Sequence, residues 1–101
     1  MAKTCMIERE KRRTALVKKH KAKRDALREV LRDPKVSIEE KFAAQAKMQK
    51  LPVDSNTVRQ RNRCLITGRS RGVYRKFGLS RTKLREFAML GMIPGLRMAS
   101  W

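Results

Sequence analysis

Between Arg59 and Arg85 the chain reads RQRNRCLITGRSRGVYRKFGLSRTKLR, placing ten lysines and arginines in 27 residues without one Asp or Glu. Arg59, Arg61, Arg63, Arg69, Arg71, Arg75, Lys76, Arg81, Lys83 and Arg85 are the donors of choice for phosphate and ribose oxygens. Like charges at this density repel, so a compact form of the segment needs an external polyanion. Gly68, Gly72 and Gly78 divide the stretch into short turns and permit close backbone approach. Tyr74 and Phe77 stand between the charges. Bases or riboses stack on such rings, and a miniature core under the following helix is the competing use of both. Arginine interleaved with glycine and aromatics suits irregular RNA better than a uniform duplex. Trp101 closes a flexible basic tail and suits insertion into an RNA or protein pocket. Lys3, Arg9, Arg12 and Arg13 are further expected RNA contacts near the start of the chain.

Other chemistry finds no support. The one histidine, His20, lies in a basic run with no triad or metal cluster around it. Glu39 and Glu40 are accounted for by helix capping and the helix dipole. No phosphate-binding loop or dinucleotide fingerprint occurs, so an enzyme is not expected. Cys5 and Cys64 are too few for a disulfide framework and lack redox spacing, so both are expected as reduced thiols.

Composition narrows the classes further. At 101 residues with a net charge of +18 and pI ≈ 11.3, the chain is one small domain at most, and its balance points to nucleic acid or an anionic surface. Hydrophobic residues reach 41%, but alanine and methionine supply much of that and aromatics only 5%, so little independent core is expected. No apolar run approaches the ~18 residues of a membrane span. The start lacks a secretory h-region, and a cytoplasmic location is expected.

The elements that must position the basic stretch are mostly helical. Residues 3–32 lack Gly and Pro and predict a basic helix of about 40 Å. Its apolar line of Leu16, Leu27 and Leu31 is thin and interrupted by His20 and Arg24, which favours an arm along phosphates over half of a bundle; a solvated charged helix is the alternative. Asp33-Pro34 stops it. Ser37 and Glu40 have capping-box spacing and start a second, amphipathic helix to Lys50, with Ile38, Phe42 and Ala46 on one face expected to pack on the first helix. Leu51-Pro52 ends it. Residues 52–62 predict an extended linker. Cys64–Thr67 and Val73-Tyr74 predict a small hairpin or a pair of turns around Gly68–Gly72. Ser80 then caps a short helix to Leu90 with Leu84, Phe87 and Ala88 inward and Gly91 at its end. The expected fold is a mostly α, extended small protein divided as a helical arm and helix pair (1–51), a linker (52–62), and a basic loop with short helix and tail (63–101).

Within this frame, Arg61-Asn62-Arg63-Cys64, Thr67-Gly68-Arg69, Tyr74 to Arg81, Leu84-Arg85-Glu86, Ile93 to Leu96 and Ala99-Ser100-Trp101 resemble the family of bacterial small-subunit ribosomal protein fourteen. The resemblance covers essentially the whole chain. Its zinc-binding branch carries C-x2-C-x12-C-x2-C, and the corresponding positions here are Cys64, Thr67, Ser80 and Lys83. One thiol and a lysine do not suit tetrahedral zinc, so the resemblance is to the long, zinc-free branch, with a zinc-ribbon-like block but no cofactor. Ser70-Arg71 replaces the Pro-His of many relatives and alters the expected turn.

The resemblance implies a structural constituent of the small ribosomal subunit. It implies binding to 16S rRNA in the 3′ major domain of the head, beside small-subunit proteins three, ten and nineteen, with a part in assembly and in shaping rRNA near the aminoacyl-tRNA site. A ribosome of the cytoplasm, or of an organelle, is implied. The alternatives are a free regulator or nucleoid-type DNA binder and a membrane-active helix. The third helix offers no seam for a DNA-binding dimer, and the first lacks the apolar face of an interfacial helix.

Overall fold

The computed structural model describes residues 2–100. Its elements are α1 (Thr4–Arg32), α2 (Ile38–Lys50), two 3-10 turns (Val53–Ser55 and Thr57–Arg59), β1 (Val73–Tyr74), β2 (Leu79–Ser80) and α3 (Arg81–Met89). The fold is thus mostly helical with one two-stranded sheet. Among the described residues, the buried apolar side chains are Val17, Ala44 and Cys64 alone, so little independent core exists. The chain forms two compact units, one continuous (Glu8–Gln60) and one split (Met1–Ile7 with Arg61–Trp101).

In the continuous unit, helix-forming residues without Gly or Pro sustain α1, reinforced by i,i+3 pairs such as Lys11–Glu8 at 2.8 Å and Arg28–Asp25 at 3.6 Å. Arg24, which breaks the apolar line in sequence, is instead buried with Val17. Its Nε donates to Ser55 Oγ at 2.9 Å and its Nη2 to the Pro52 carbonyl at 3.2 Å. These bonds fix residues 52–55 on the helix. Residues 52–62 are therefore not simply extended: two 3-10 turns form, the second capped by Asn56 Oδ1, which accepts from Val58 N–H at 3.3 Å. Short polar side chains that bond nearby backbone N–H groups favour such turns over extension.

Ser37 starts α2 as expected, its hydroxyl accepting from Glu40 N–H at 3.4 Å. The expected inward face is not inward. Ile38 and Phe42 are 71% and 66% exposed, Ala46 is exposed, and Ala44 is the buried residue of this helix. An i,i+4 apolar line shows which face seeks a partner, and among the described residues that face stays exposed.

In the split unit the hairpin lies later than expected. Residues 64–68 close as a turn, Gly68 N–H donating to Cys64 O at 2.9 Å, and the two strands are Val73–Tyr74 and Leu79–Ser80. They pair antiparallel with Val73 opposite Ser80 and Tyr74 opposite Leu79. The connection turns on Gly78 (φ +66), whose N–H donates to Tyr74 O at 2.8 Å. α3 follows β2 directly and ends in a complete Schellman motif: Gly91 N–H reaches Ala88 O at 3.1 Å and Met92 N–H reaches Phe87 O at 3.0 Å. Leu84, Phe87 and Ala88 are half-buried.

Candidate nucleic-acid interface

Cys64 is the fixed point of the basic unit. Its N–H donates to Arg69 O at 2.9 Å, Leu65 N–H donates to Gly78 O at 3.0 Å, and Arg81 N–H donates to Gly72 O at 2.8 Å. Three separate turns are thus tied to one another through the backbone. Burial by itself would raise the Cys64 thiol, but the Thr67 hydroxyl and the N–H groups of Thr67, Ser80 and Ile66 converge on the sulfur and bring it down to about 6. The chain start joins the same structure, with Ala2 N–H donating to Thr67 O at 3.3 Å. Gly68 (φ +73) leaves room for it: a Cβ there would lie 2.8 Å from Cδ1 and Cγ1 of Ile7.

Around this fixed point the expected contact residues fall into groups. Arg63, Arg69 and Arg71 line one hollow of about 260 Å³ with Ser70 and Ala2. Arg63 is half-buried, its Nη1 donating to Gly68 O at 3.0 Å. Arg75 and Lys76 are exposed on the hairpin turn, with the Lys76 ammonium 5.7 Å from the Phe77 ring centroid. Phe77 is half-buried, whereas Tyr74 is 51% exposed. The two aromatics, equivalent in sequence, therefore differ: Tyr74 is available for stacking and Phe77 serves the small interior more.

A second hollow of about 480 Å³ lies along α3, where Tyr74, Arg81, Leu84 and Arg85 meet Leu96 and Arg97. Arg97 and Leu96 were not among the contact residues expected from sequence. Nothing in the spacing of the tail links it to α3, although Arg81, Leu84, Arg85 and Ala88 share the i,i+3/i+4 rows that predict one helical face. Lys83 points elsewhere, into an ion pair with Glu86 at 2.7 Å. Arg61 and Lys3 are exposed, and Trp101 lies outside the described residues.

Four expected contacts belong to the continuous unit. Arg9 and Arg12 are exposed on α1. Arg13 and Arg59 share Asp54, at 3.3 and 2.8 Å. Although partial burial would raise the Asp54 carboxyl, these two guanidinium groups hold it below the usual range. Arg13 and Arg59 thus share an internal carboxylate, whereas the one acidic side chain of the split unit, Glu86, is paired with Lys83.

A profile of the family described as Ribosomal protein S14p/S29e matches residues 47–100. The chain is also 52% identical over 101 residues to "Small ribosomal subunit protein uS14" of Halorhodospira halophila (strain DSM 244 / SL1), covering 100% of both chains. The chain belongs to the S14p/S29e family of ribosomal proteins. Membership makes it a ribosomal protein of the small subunit and not an enzyme. At the four positions that the resemblance equates with the ligands of a zinc-binding branch stand Cys64, Thr67, Ser80 and Lys83. Cys64 is the single thiol, with its sulfur already receiving N–H and O–H donors, and Lys83 brings an ammonium paired to Glu86.

Proposed function

We propose that the chain binds 16S rRNA in the head of the small subunit, within the 3′ major domain, as a structural part needed for subunit assembly. The observation that carries this reading is the split unit's charge: 11 Lys and Arg against the single carboxylate of Glu86. Such a surface is completed by phosphates, each contact releasing condensed counterions. Family membership directs that demand to ribosomal RNA. By the same resemblance, small-subunit proteins three, ten and nineteen are the proposed neighbours, and rRNA near the aminoacyl-tRNA site is the region shaped. The exposed Ile38 and Phe42 of α2 supply an apolar face for a protein neighbour. No helix among the described residues is long and apolar enough to cross a membrane, and the proposed location is the cytoplasmic ribosome.

Zinc has no part in this proposal. Hydrogen bonds to the Cys64 sulfur and the backbone ties among residues 64–81 take the place that a metal holds in the zinc-binding branch. Metal analysis of the purified chain is expected to find no stoichiometric, chelator-sensitive zinc. RNA supplies the remaining order, so amides of residues 52–80 are expected to exchange faster in the free chain than in the complex.

Sedimentation tests the reading directly. Tagged protein from a bacterial lysate is expected to travel with the small subunit on a sucrose gradient and to remain as salt rises past the point where free basic proteins wash off. Material that stays at the top, or follows DNA and leaves at modest salt, overturns it.

A further inference from the structure

The hollow along α3 combines two properties that phosphate binding alone does not need. Part of its lining is aliphatic, from Leu84 and Leu96, and its volume of about 480 Å³ falls within the ~300–1,000 Å³ of sites that enclose a small molecule. Tyr74, half exposed, and the cationic Arg81, Arg85 and Arg97 line it as well. The unit's one carboxylate, Glu86, lines a neighbouring hollow and not this one. A duplex presents phosphates on a convex rod and would leave the aliphatic part uncovered. An apolar side chain of a partner protein would fill that part but leave three cations without counterions. An unpaired nucleotide satisfies both, since its base has flat apolar faces and its phosphates lie one sugar away.

We propose that this hollow seats the base of one unpaired rRNA nucleotide, with Tyr74 stacked on the base and Arg81, Arg85 and Arg97 on the adjoining phosphates. The seat rests on the RNA-binding reading above and narrows it from phosphate contact to recognition of a single-stranded site. Backbone geometry pre-forms part of the lining. Arg81 N–H is held by Gly72 O at 2.8 Å, and a Cβ at Gly72 would stand 3.4 Å from Cγ and Cδ of Arg81. Such a contact is an ordinary one, so it is the positive φ of Gly72 (+62) and not space that the turn requires of glycine. Tyr74 is set on the same side by its pairing with Leu79 immediately ahead of α3.

The test measures binding of the full chain to a short oligoadenylate and to a blunt RNA duplex of equal phosphate number. Tyr74→Ala, which keeps every charge, is expected to weaken oligoadenylate binding about tenfold and to leave duplex affinity and its salt slope unchanged. Ala88→Leu, also charge-neutral and favourable in a helix, narrows the hollow and is expected to act in the same selective way. Ultraviolet crosslinking in assembled small subunits should join Tyr74 or the 96–98 segment to one nucleotide. Equal losses on both RNAs, or no loss with either variant, overturns the seat while leaving phosphate binding intact. Crosslinks from the hollow to a protein overturn it in favour of a protein occupant. If the unaltered chain binds neither RNA and fails to sediment with the small subunit, the RNA reading itself falls and the seat with it.

Discussion

The two units of this chain handle positive charge in opposite ways. In Glu8–Gln60, 16 Lys and Arg are accompanied by eight Asp and Glu, and several guanidinium groups are satisfied internally: Arg13 and Arg59 by Asp54, Arg24 by Ser55 and Pro52. In the split unit 11 Lys and Arg are accompanied by one acidic side chain, Glu86, which pairs with Lys83. The first unit uses arginine to hold itself together. In the second, Arg63 bonds to Gly68 O, Arg71, Arg75, Arg81, Arg85 and Arg97 are exposed, and backbone ties around Cys64 give the unit its shape. Charge density in a sequence therefore does not rank contact residues by itself, and the deciding quantity is whether each cation already has a partner.

The sharpest way to break the comparison is to remove charge from each unit in turn. Arg69→Gln, Arg71→Gln and Arg75→Gln together are expected to lower rRNA affinity roughly a hundredfold at physiological salt, with a salt slope shallower by about 2. The matched triple Lys18→Gln, Lys19→Gln and Lys21→Gln on α1 is expected to cost less, on the order of tenfold. Equal effects in filter binding would show that α1 contributes phosphate contacts as fully as the split unit.

Internal use of arginine predicts a stability effect instead. Arg24→Met removes two hydrogen bonds at a buried position and leaves the Pro52–Ser55 turn unanchored, an expected loss of about 1–3 kcal/mol in thermal unfolding. The split unit has its own counterpart. Gly68→Ala forces a side chain into positive φ against Ile7 and is expected to cost ~1–2 kcal/mol, visible as faster amide exchange near Cys64 in the RNA-bound chain.

The smallest expected effect is a pH dependence from Cys64. Its folded pKa of about 6 lies below the unfolded value near 8.5. The thiolate therefore favours the folded form as pH rises from about 6 toward that unfolded value, and the contribution disappears as pH falls through 6. Cys64→Ser should flatten the stability profile over that interval. A profile unchanged by the substitution would mean that the converging N–H groups do not hold a thiolate.

Much of this was legible in the sequence, and the misses have definite causes. The limits of α1 and α2 followed from Pro34, Ser37 and Pro52, because capping and proline chemistry are local. The burial of Arg24 was not legible, since an arginine in an apolar line looks like an interruption until its acceptors, Ser55 Oγ and Pro52 O, are brought to it from 31 and 28 positions along the chain. The hairpin was misplaced because Cys64-Leu65-Ile66 has strand-forming side chains, whereas Gly68, at positive φ, brings its N–H back to Cys64 O at 2.9 Å and closes the segment as a turn. The basic residues of the candidate interface were visible by composition, but the hollow was not. Its two walls come from α3 and from the tail, and no periodicity connects Arg85 with Arg97.

The bond from Ala2 to Thr67 carries a consequence for synthesis. Residues 2–7 leave the ribosome early, yet their seat is built from residues 61–69, which emerge some 60 residues later. At translation rates of ~5–20 residues per second, the opening segment spends on the order of seconds without its docking surface. The continuous unit can form during that interval, because Arg24, Asp54 and Ser55 all precede Gln60. The unit with the larger excess of positive charge is thus the last to close, and RNA can be engaged as it does.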